Sequence, residues 1–233
     1  MVSDSLSNEW KFWEKGKSDF LEGKKLQLQI RVFVFCAMFN GIFYFTINRI
    51  NSVRDWQYFY PEINLDSSIP FVWWTILPYA IYYVIFVSPV LLNQSESQLE
   101  RSLKFTQLTM LPTSFCFLIF ILIPVEVDLR DQVDANNLLA TISMNLLHGV
   151  DTAWNGMPSL HIVHSSLYAI FFIKNHKESK TAIRLMAVLY ALIVISTLTT
   201  KQHYILDVLT GLFVSFVFWK FVMRARIFTN LSE

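Results

Sequence analysis

The sequence predicts an all-α integral-membrane protein: a bundle of six transmembrane helices with both termini in the cytoplasm. Three observations carry that expectation. Of the 233 residues, 54% are hydrophobic and only 16% charged, and the mean hydropathy is +0.41, against roughly 25% charged residues in a soluble domain. Six segments meet or approach the roughly 17 to 25 apolar residues needed to cross a bilayer: Ile30 to Ile47, Ile69 to Leu92, Leu103 to Val125, Pro158 to Ile173, Ala182 to Thr199 and Tyr204 to Met223. With the N-terminus inside, lysines and arginines divide 15 to 4 between the cytoplasmic and the opposite side, as the positive-inside rule requires.

Taken in order, residues 1–25 mix Trp10, Phe12, Trp13, Phe20 and Leu21 with many charges. Such a segment is too charged for the core of a cleavable signal peptide and reads as an interfacial amphipathic stretch ahead of an uncleaved first span, with a merely solvated tail as the alternative. Residues 26–226 form the six-span bundle, and the whole chain, 1–233, reads as one membrane domain without repeats. The second span carries no charged residue. The fourth is short and contains His161, His164 and several serines, so it is the least marked by hydropathy. Pro78, Pro89 and Pro112 within spans predict kinks, tolerable where neighbouring helices satisfy the freed backbone groups.

A net charge of +1 supplies no basic stripe for nucleic acid. Cys36 and Cys116 both fall in apolar runs, which argues against a structural disulfide or a cysteine-based metal site. Glu126, Asp128, Asp131 and Asp134, without His or Cys among them, read as a solvated acidic face. His148 sits in the loop between spans three and four. His164 reads as a packed, hydrogen-bonded helix histidine and His176 as a solvated loop residue.

Six spans in this order put the loop of residues 126–157 and the turn of residues 200–203 on the same, exoplasmic face. His161, at the mouth of span four, and His203, at the mouth of span six, then share that face, and ionisable groups inside membrane segments are functional candidates. In Gly156-Met157-Pro158-Ser159-Leu160-His161, Pro158 suits a first helical position. The amides of Ser159, Leu160 and His161, with the positive end of the helix dipole, would form an anion site, Ser159 adding a hydroxyl. An ordinary helix start with an interfacial histidine fits that string equally. His203 and Asp207 are four residues apart, hence on one helix face. A carboxylate that takes the Nδ1 proton leaves Nε2 as nucleophile or base, although an interfacial polar pair has the same spacing. Gly211 continues the stripe and permits close helix approach.

These strings carry a family resemblance. Pro158-Ser159-Leu160-His161 resembles the Pro-Ser-Gly-His motif of the type 2 phosphatidic acid phosphatase superfamily of integral-membrane lipid phosphatases and phosphotransferases. Ser196-Thr197, five residues, His203, three residues and Asp207 are similar to its Ser-Arg-x5-His-x3-Asp motif, with identical spacing. The resemblance implies that His203 is the nucleophile that forms a phosphohistidine, Asp207 its orienting partner, His161 the acid for the leaving group and Ser159 a phosphate ligand. The departures are specific. Arg130 stands where the first motif has its arginine, but Asp131 follows instead of proline, Ile123 occupies the lysine position, and Thr197 replaces the arginine of the third motif. Lys201, two residues before the nucleophile, is a candidate substitute cation. The His-Tyr-x-x-Asp form at 203–207 resembles the branch of inositol phosphorylceramide and sphingomyelin synthases.

The expected activity is hydrolysis of a lipid phosphomonoester or pyrophosphate at the exoplasmic or periplasmic face of a plasma or inner membrane. His203, His161 and Asp207 would be catalytic, with Ser159, Arg130 and Lys201 binding phosphate. No metal or other cofactor is needed by this arrangement, and the partners are membrane lipids. Two alternatives stand beside it: transfer of a phospho-head group to a lipid alcohol, and a catalytically degenerate chain that binds or moves phospholipid.

Overall fold

The computed structural model describes residues 14–93, 95–134, 138–150 and 153–228; most of the expected interfacial segment, residues 1–13, lies outside them. Helix α1 (Glu14–Leu21) leads into α2 (Lys25–Val53). After it come α3 (Asn64–Ser68), a 3-10 turn at Trp73–Thr75, α4 (Ile76–Ile85), α5 (Ser88–Leu91), α6 (Glu96–Leu108) and α7 (Met110–Leu122). The second half consists of α8 (Leu138–Val150), α9 (Leu160–Asn175), α10 (Lys180–Thr199) and α11 (Ile205–Phe218), which continues through a π-helical stretch, Trp219–Met223, into α12 (Arg224–Phe228). No strand occurs among the described residues, only two isolated bridges, Phe59 with Val125 and Val125 with Asn155.

The all-helical class is therefore as expected. Four helices are long and apolar enough to cross a membrane: Lys25–Val53, Glu96–Leu122, Lys180–Thr199 and Ile205–Phe228. The other two expected spans form shorter helices. The apolar run from Ile69 breaks at residues 86 and 87, just ahead of Pro89, which lies in the first turn of α5, where a missing N–H is harmless. Pro112 leaves a gentler mark. The α6–α7 junction falls at Thr109, and the hydroxyls of Thr109 and Thr113 bond back to the carbonyls of Thr106 and Thr109. The region expected as a long loop after span three contains a 13-residue apolar helix, α8.

Helix α9 has 16 residues, about 24 Å at 1.5 Å per residue. It packs against α4, α5, α6, α7, α10 and α11, and every residue from Leu160 to Ala169 is buried. Its polar side chains are thus turned into protein. His164 Nδ1 lies 2.7 Å from the Tyr82 hydroxyl and its Nε2 2.7 Å from that of Thr113, as expected for a packed histidine, and the Ser165 hydroxyl donates to the His161 carbonyl. The outer helices do the opposite, presenting Phe33, Met38, Phe45, Leu185, Val188, Phe213 and Phe221 outward, the surface expected of a protein solvated by lipid. His176 corrects the reading of a solvated loop residue: it is buried, with its ring 4.6 Å from that of Phe172.

Candidate active site

At the end of the bundle where α9 and α11 begin, three connecting segments lie side by side. Val127 N donates to Ala153 O at 2.9 Å, Gly156 N to Val125 O at 3.3 Å and Phe59 N to Pro124 O at 3.1 Å. Asn51, at the end of α2, pins this layer by donating to Phe120 O and Asn155 Oδ1. Gly156 must be small. A Cβ there would meet Val127 at 2.8 Å, Val125 at 3.0 Å and the Asp207 carboxylate at 3.3 Å.

His203 is delivered by the end of α10. Lys201 N donates to Leu198 O and Gln202 N to Thr197 O, with Lys201 at φ 60°, which is the Schellman arrangement at a helix C-terminus. A lysine is unusual in that left-handed position, and its ammonium is held by Asp66 O at 3.0 Å and Gln132 Oε1 at 2.8 Å. Burial lowers its pKa from the usual lysine value, opposed by the nearby carboxylates of Asp66, Glu62 and Asp131. The turn also fixes the backbone of His203, whose N–H donates to Thr197 O at 3.2 Å. The Thr197 hydroxyl bonds back to Val194 O, so this side chain supplies neither charge nor donor to the site.

His203 is buried, the residue being 6% exposed. Its Nδ1 lies 3.3 Å from Asp207 Oδ2 and its Nε2 3.1 Å from Ser159 Oγ. Asp207 Oδ2 also accepts from Tyr204 N at 2.9 Å, the reach-back of a capping box at the start of α11. The carboxylate therefore caps a helix and orients an imidazole at once. Helix α11 gains a second cap from Asp66, whose Oδ1 accepts from Ile205 N at 2.7 Å. The starts of α9 and α11 are tied directly, Ser159 N donating to Asp207 O at 3.1 Å, and Gly211 permits that approach, since a Cβ there would stand 3.0 Å from Ser159 O and 2.9 Å from Ile162 Cβ.

This geometry revises the expected helix start. Helix α9 begins at Leu160, with Ser159 as its N-cap and Pro158 one residue before. The Ser159 amide is engaged by Asp207 and so is not free for an anion, and its hydroxyl, which makes no cap bond, faces His203.

His161 is the second residue of α9, within its first turn. Its ring centroid is 5.8 Å from that of His203, and it is held between Tyr79 at 4.2 Å and Tyr82 at 4.0 Å. Its Nε2 is buried without a hydrogen-bond partner among the described residues. Arg130, on a 3-10 turn, lines a small cleft with His203, Gln202, Asn155, Gly156 and Tyr44. His203, Asp207, Ser159, His161 and Arg130 are thus brought together, whereas the Lys201 ammonium is turned to Asp66 and Gln132. Tyr79, Tyr82 and Asp66 were missed by sequence reading. Two tyrosines at i and i+3, one helix face, in an otherwise apolar run are the signal that marks the first pair; Asp66 leaves none.

Beside the cleft, Tyr44 and His161 also line an apolar cavity of about 230 Å³ between α2, α4 and α9, walled by Phe33, Phe45, Tyr83 and Phe86. Among curated proteins and solved structures none matches the chain. A family model does, over residues 55–221, a stretch that runs from the loop after α2 through Arg130, Ser159, His161, His203 and Asp207 to the π-helical segment following α11. The paired histidines, the Asp207 partner and that match agree: the chain belongs to the PAP2 superfamily, that of the type 2 phosphatidic acid phosphatases, and its function is of the lipid phosphatase or phosphotransferase type.

Proposed function

We propose that the chain hydrolyses a lipid phosphate ester in two steps through a phosphohistidine on His203. The observation that carries this reading is the line Ser159, His203, Asp207 with the His161 ring set 5.8 Å across from His203. In the first step Nε2 of His203 attacks phosphorus. The bond from phosphorus to the lipid oxygen breaks, and protonated His161 gives its proton to that oxygen. In the second, neutral His161 takes a proton from water as the water oxygen attacks phosphorus, the phosphorus–nitrogen bond breaks, and inorganic phosphate leaves with His203 restored. Asp207 keeps the reactive nitrogen outward and balances the charge that develops on the ring. Ser159 and Arg130 would bind the equatorial oxygens, whose charge is the main catalytic burden of phosphoryl transfer. Lys201 enters as a positioning residue that holds the turn carrying His203. The apolar cavity reached from His161 suits an alkyl leaving group.

Purified protein in mixed micelles should release inorganic phosphate from phosphatidic acid or a polyprenyl or sphingoid phosphate, undiminished by chelator. A second reading, transfer of a phospho-head group to a lipid alcohol, draws on His203-Tyr204-x-x-Asp207 and on Thr197 in place of arginine. A phosphodiester formed only when ceramide or diacylglycerol accompanies a phospholipid donor, with no free phosphate, would replace the first reading by the second.

Six spans with both termini cytoplasmic, and the cleft on the exoplasmic side, complete the proposal, supported by the 15 to 4 division of basic residues. Cys36 and Cys116 are buried, which leaves a quiet background for labelling. Impermeant thiol reagents on intact cells should modify Asp134→Cys, and should reach Lys180→Cys only after permeabilisation. The reverse pattern would put the cleft in the cytoplasm.

A further inference from the structure

At the other end of α9 from the catalytic cleft, about 24 Å along its axis, lies a recess of about 440 Å³. Arg101 of α6, Lys174 of α9, Lys177 of the following loop and Arg224 of α12 line it, with Phe228 at one wall. None of these four cations forms an ion pair among the described residues. The recess contains one carboxylate, Glu178, and its Oε1 already accepts from Gln98 Nε2 at 2.9 Å.

The frame beneath the recess is built rather than loose. Arg101 Nε donates to Asn175 Oδ1 at 2.7 Å, which orients the guanidinium against the Phe228 ring 5.9 Å away. Asn175 is itself buried, with its amide within hydrogen-bond distance of Asn93 Oδ1, Gln98 O and Ser102 Oγ. A preoriented guanidinium with lysines around it is the donor set that recognises phosphate oxygens. Within one turn of Arg224, Phe221 is 70% exposed, so the recess adjoins surface of the kind that faces acyl chains.

We propose that this recess binds a phosphate-bearing anion, the headgroup of an anionic phospholipid at the membrane surface opposite the catalytic cleft. A helix C-terminus attracts cations by its dipole, which accounts for Lys174 alone. It does not bring Arg101 and Arg224 from two other helices to the same cavity. Clusters of basic residues beside a membrane helix are attracted to anionic lipid generally; a built site differs in depending on these cations and not on equal charge elsewhere.

The test uses the full chain in phosphatidylcholine nanodiscs with or without phosphatidylglycerol, with lipid retention read by native mass spectrometry. Wild type should retain phosphatidylglycerol over phosphatidylcholine. Arg101→Gln/Lys174→Gln/Arg224→Gln should lose at least about tenfold in that preference, while the charge-matched Arg184→Gln/Lys220→Gln/Arg226→Gln should stay within about twofold. Lys177→Glu, at an exposed loop position, should weaken retention in a chain that melts like wild type, which guards against misfolding of the triple variant. Inorganic phosphate and glycerol phosphate, titrated in phosphatidylcholine discs, separate the sources: binding with the same variant dependence assigns the recess to a soluble phosphate, its absence to the lipid. Equal loss in both triple variants, or no preference in wild type for any phosphate anion over phosphatidylcholine, would overturn the proposal.

Discussion

His203→Ala is expected to lower turnover by about 10⁴-fold or more, because a covalent nucleophile has no substitute within the cleft. Wild-type protein quenched in mid-reaction with labelled substrate should carry a base-stable, acid-labile phosphoryl group, and His203→Ala should carry none. Asp207→Asn separates the two duties of the carboxylate. Its side-chain oxygen can still accept from Tyr204 N, so α11 stays capped and the variant should melt close to wild type. It cannot serve as the charge partner of Nδ1, and turnover should fall by about 10²- to 10⁴-fold, short of the His203→Ala loss. Asp207→Ala removes both, adding a loss of about 1 kcal/mol of helix capping. Label persisting undiminished in His203→Ala would show that another residue carries the phosphoryl group.

The part of this site legible in the sequence is the part set by local geometry. The pairing of His203 with Asp207 was legible from their spacing, but a shared helix face is not its cause. His203 lies two residues ahead of α11, and the 3.3 Å contact forms because Asp207, at the third position of that helix, turns its carboxylate back over the helix start. The contact between Ser159 and His203 depends on α9 and α11 crossing closely, which Gly211 hints at but does not specify. Lys201 illustrates the converse failure. Its distance in sequence from His203 suggested a phosphate ligand, yet the left-handed turn at its own backbone sends the side chain toward Asp66 and Gln132. Sequence proximity across a helix-ending turn fixes no direction.

The same contrast holds for the fold. Helices α2, α10 and α11 were plain from hydropathy because much of each faces outward and must be apolar all along that side. Helix α9 was faint because it is enclosed by six other helices and can afford His161, His164, Ser165 and Ser166, each satisfied or exploited within protein. Helix α8 was missed because its 13 residues fall below the length that a search for spans detects.

His161→Ala separates acid catalysis from phosphate binding and is the second large effect expected. On an alkyl phosphate, whose departing oxygen must be protonated, the variant should lose about 10²- to 10⁴-fold in turnover. On an aryl phosphate such as p-nitrophenyl phosphate, whose leaving oxygen is stable as an anion, the loss should shrink to about tenfold or less. The geometry motivates the asymmetry: the ring is clamped by Tyr79 and Tyr82 on its faces, its Nε2 is buried with no partner among the described residues, and the apolar cavity runs from that same ring. Tyr82→Phe preserves the stacking surface while removing the hydroxyl on His164, and should keep the wild-type ratio of alkyl to aryl rates. Equal losses on both substrates in His161→Ala would mean that His161 holds phosphate instead of delivering the proton, and the acid would then have to be sought among the other groups lining the cleft.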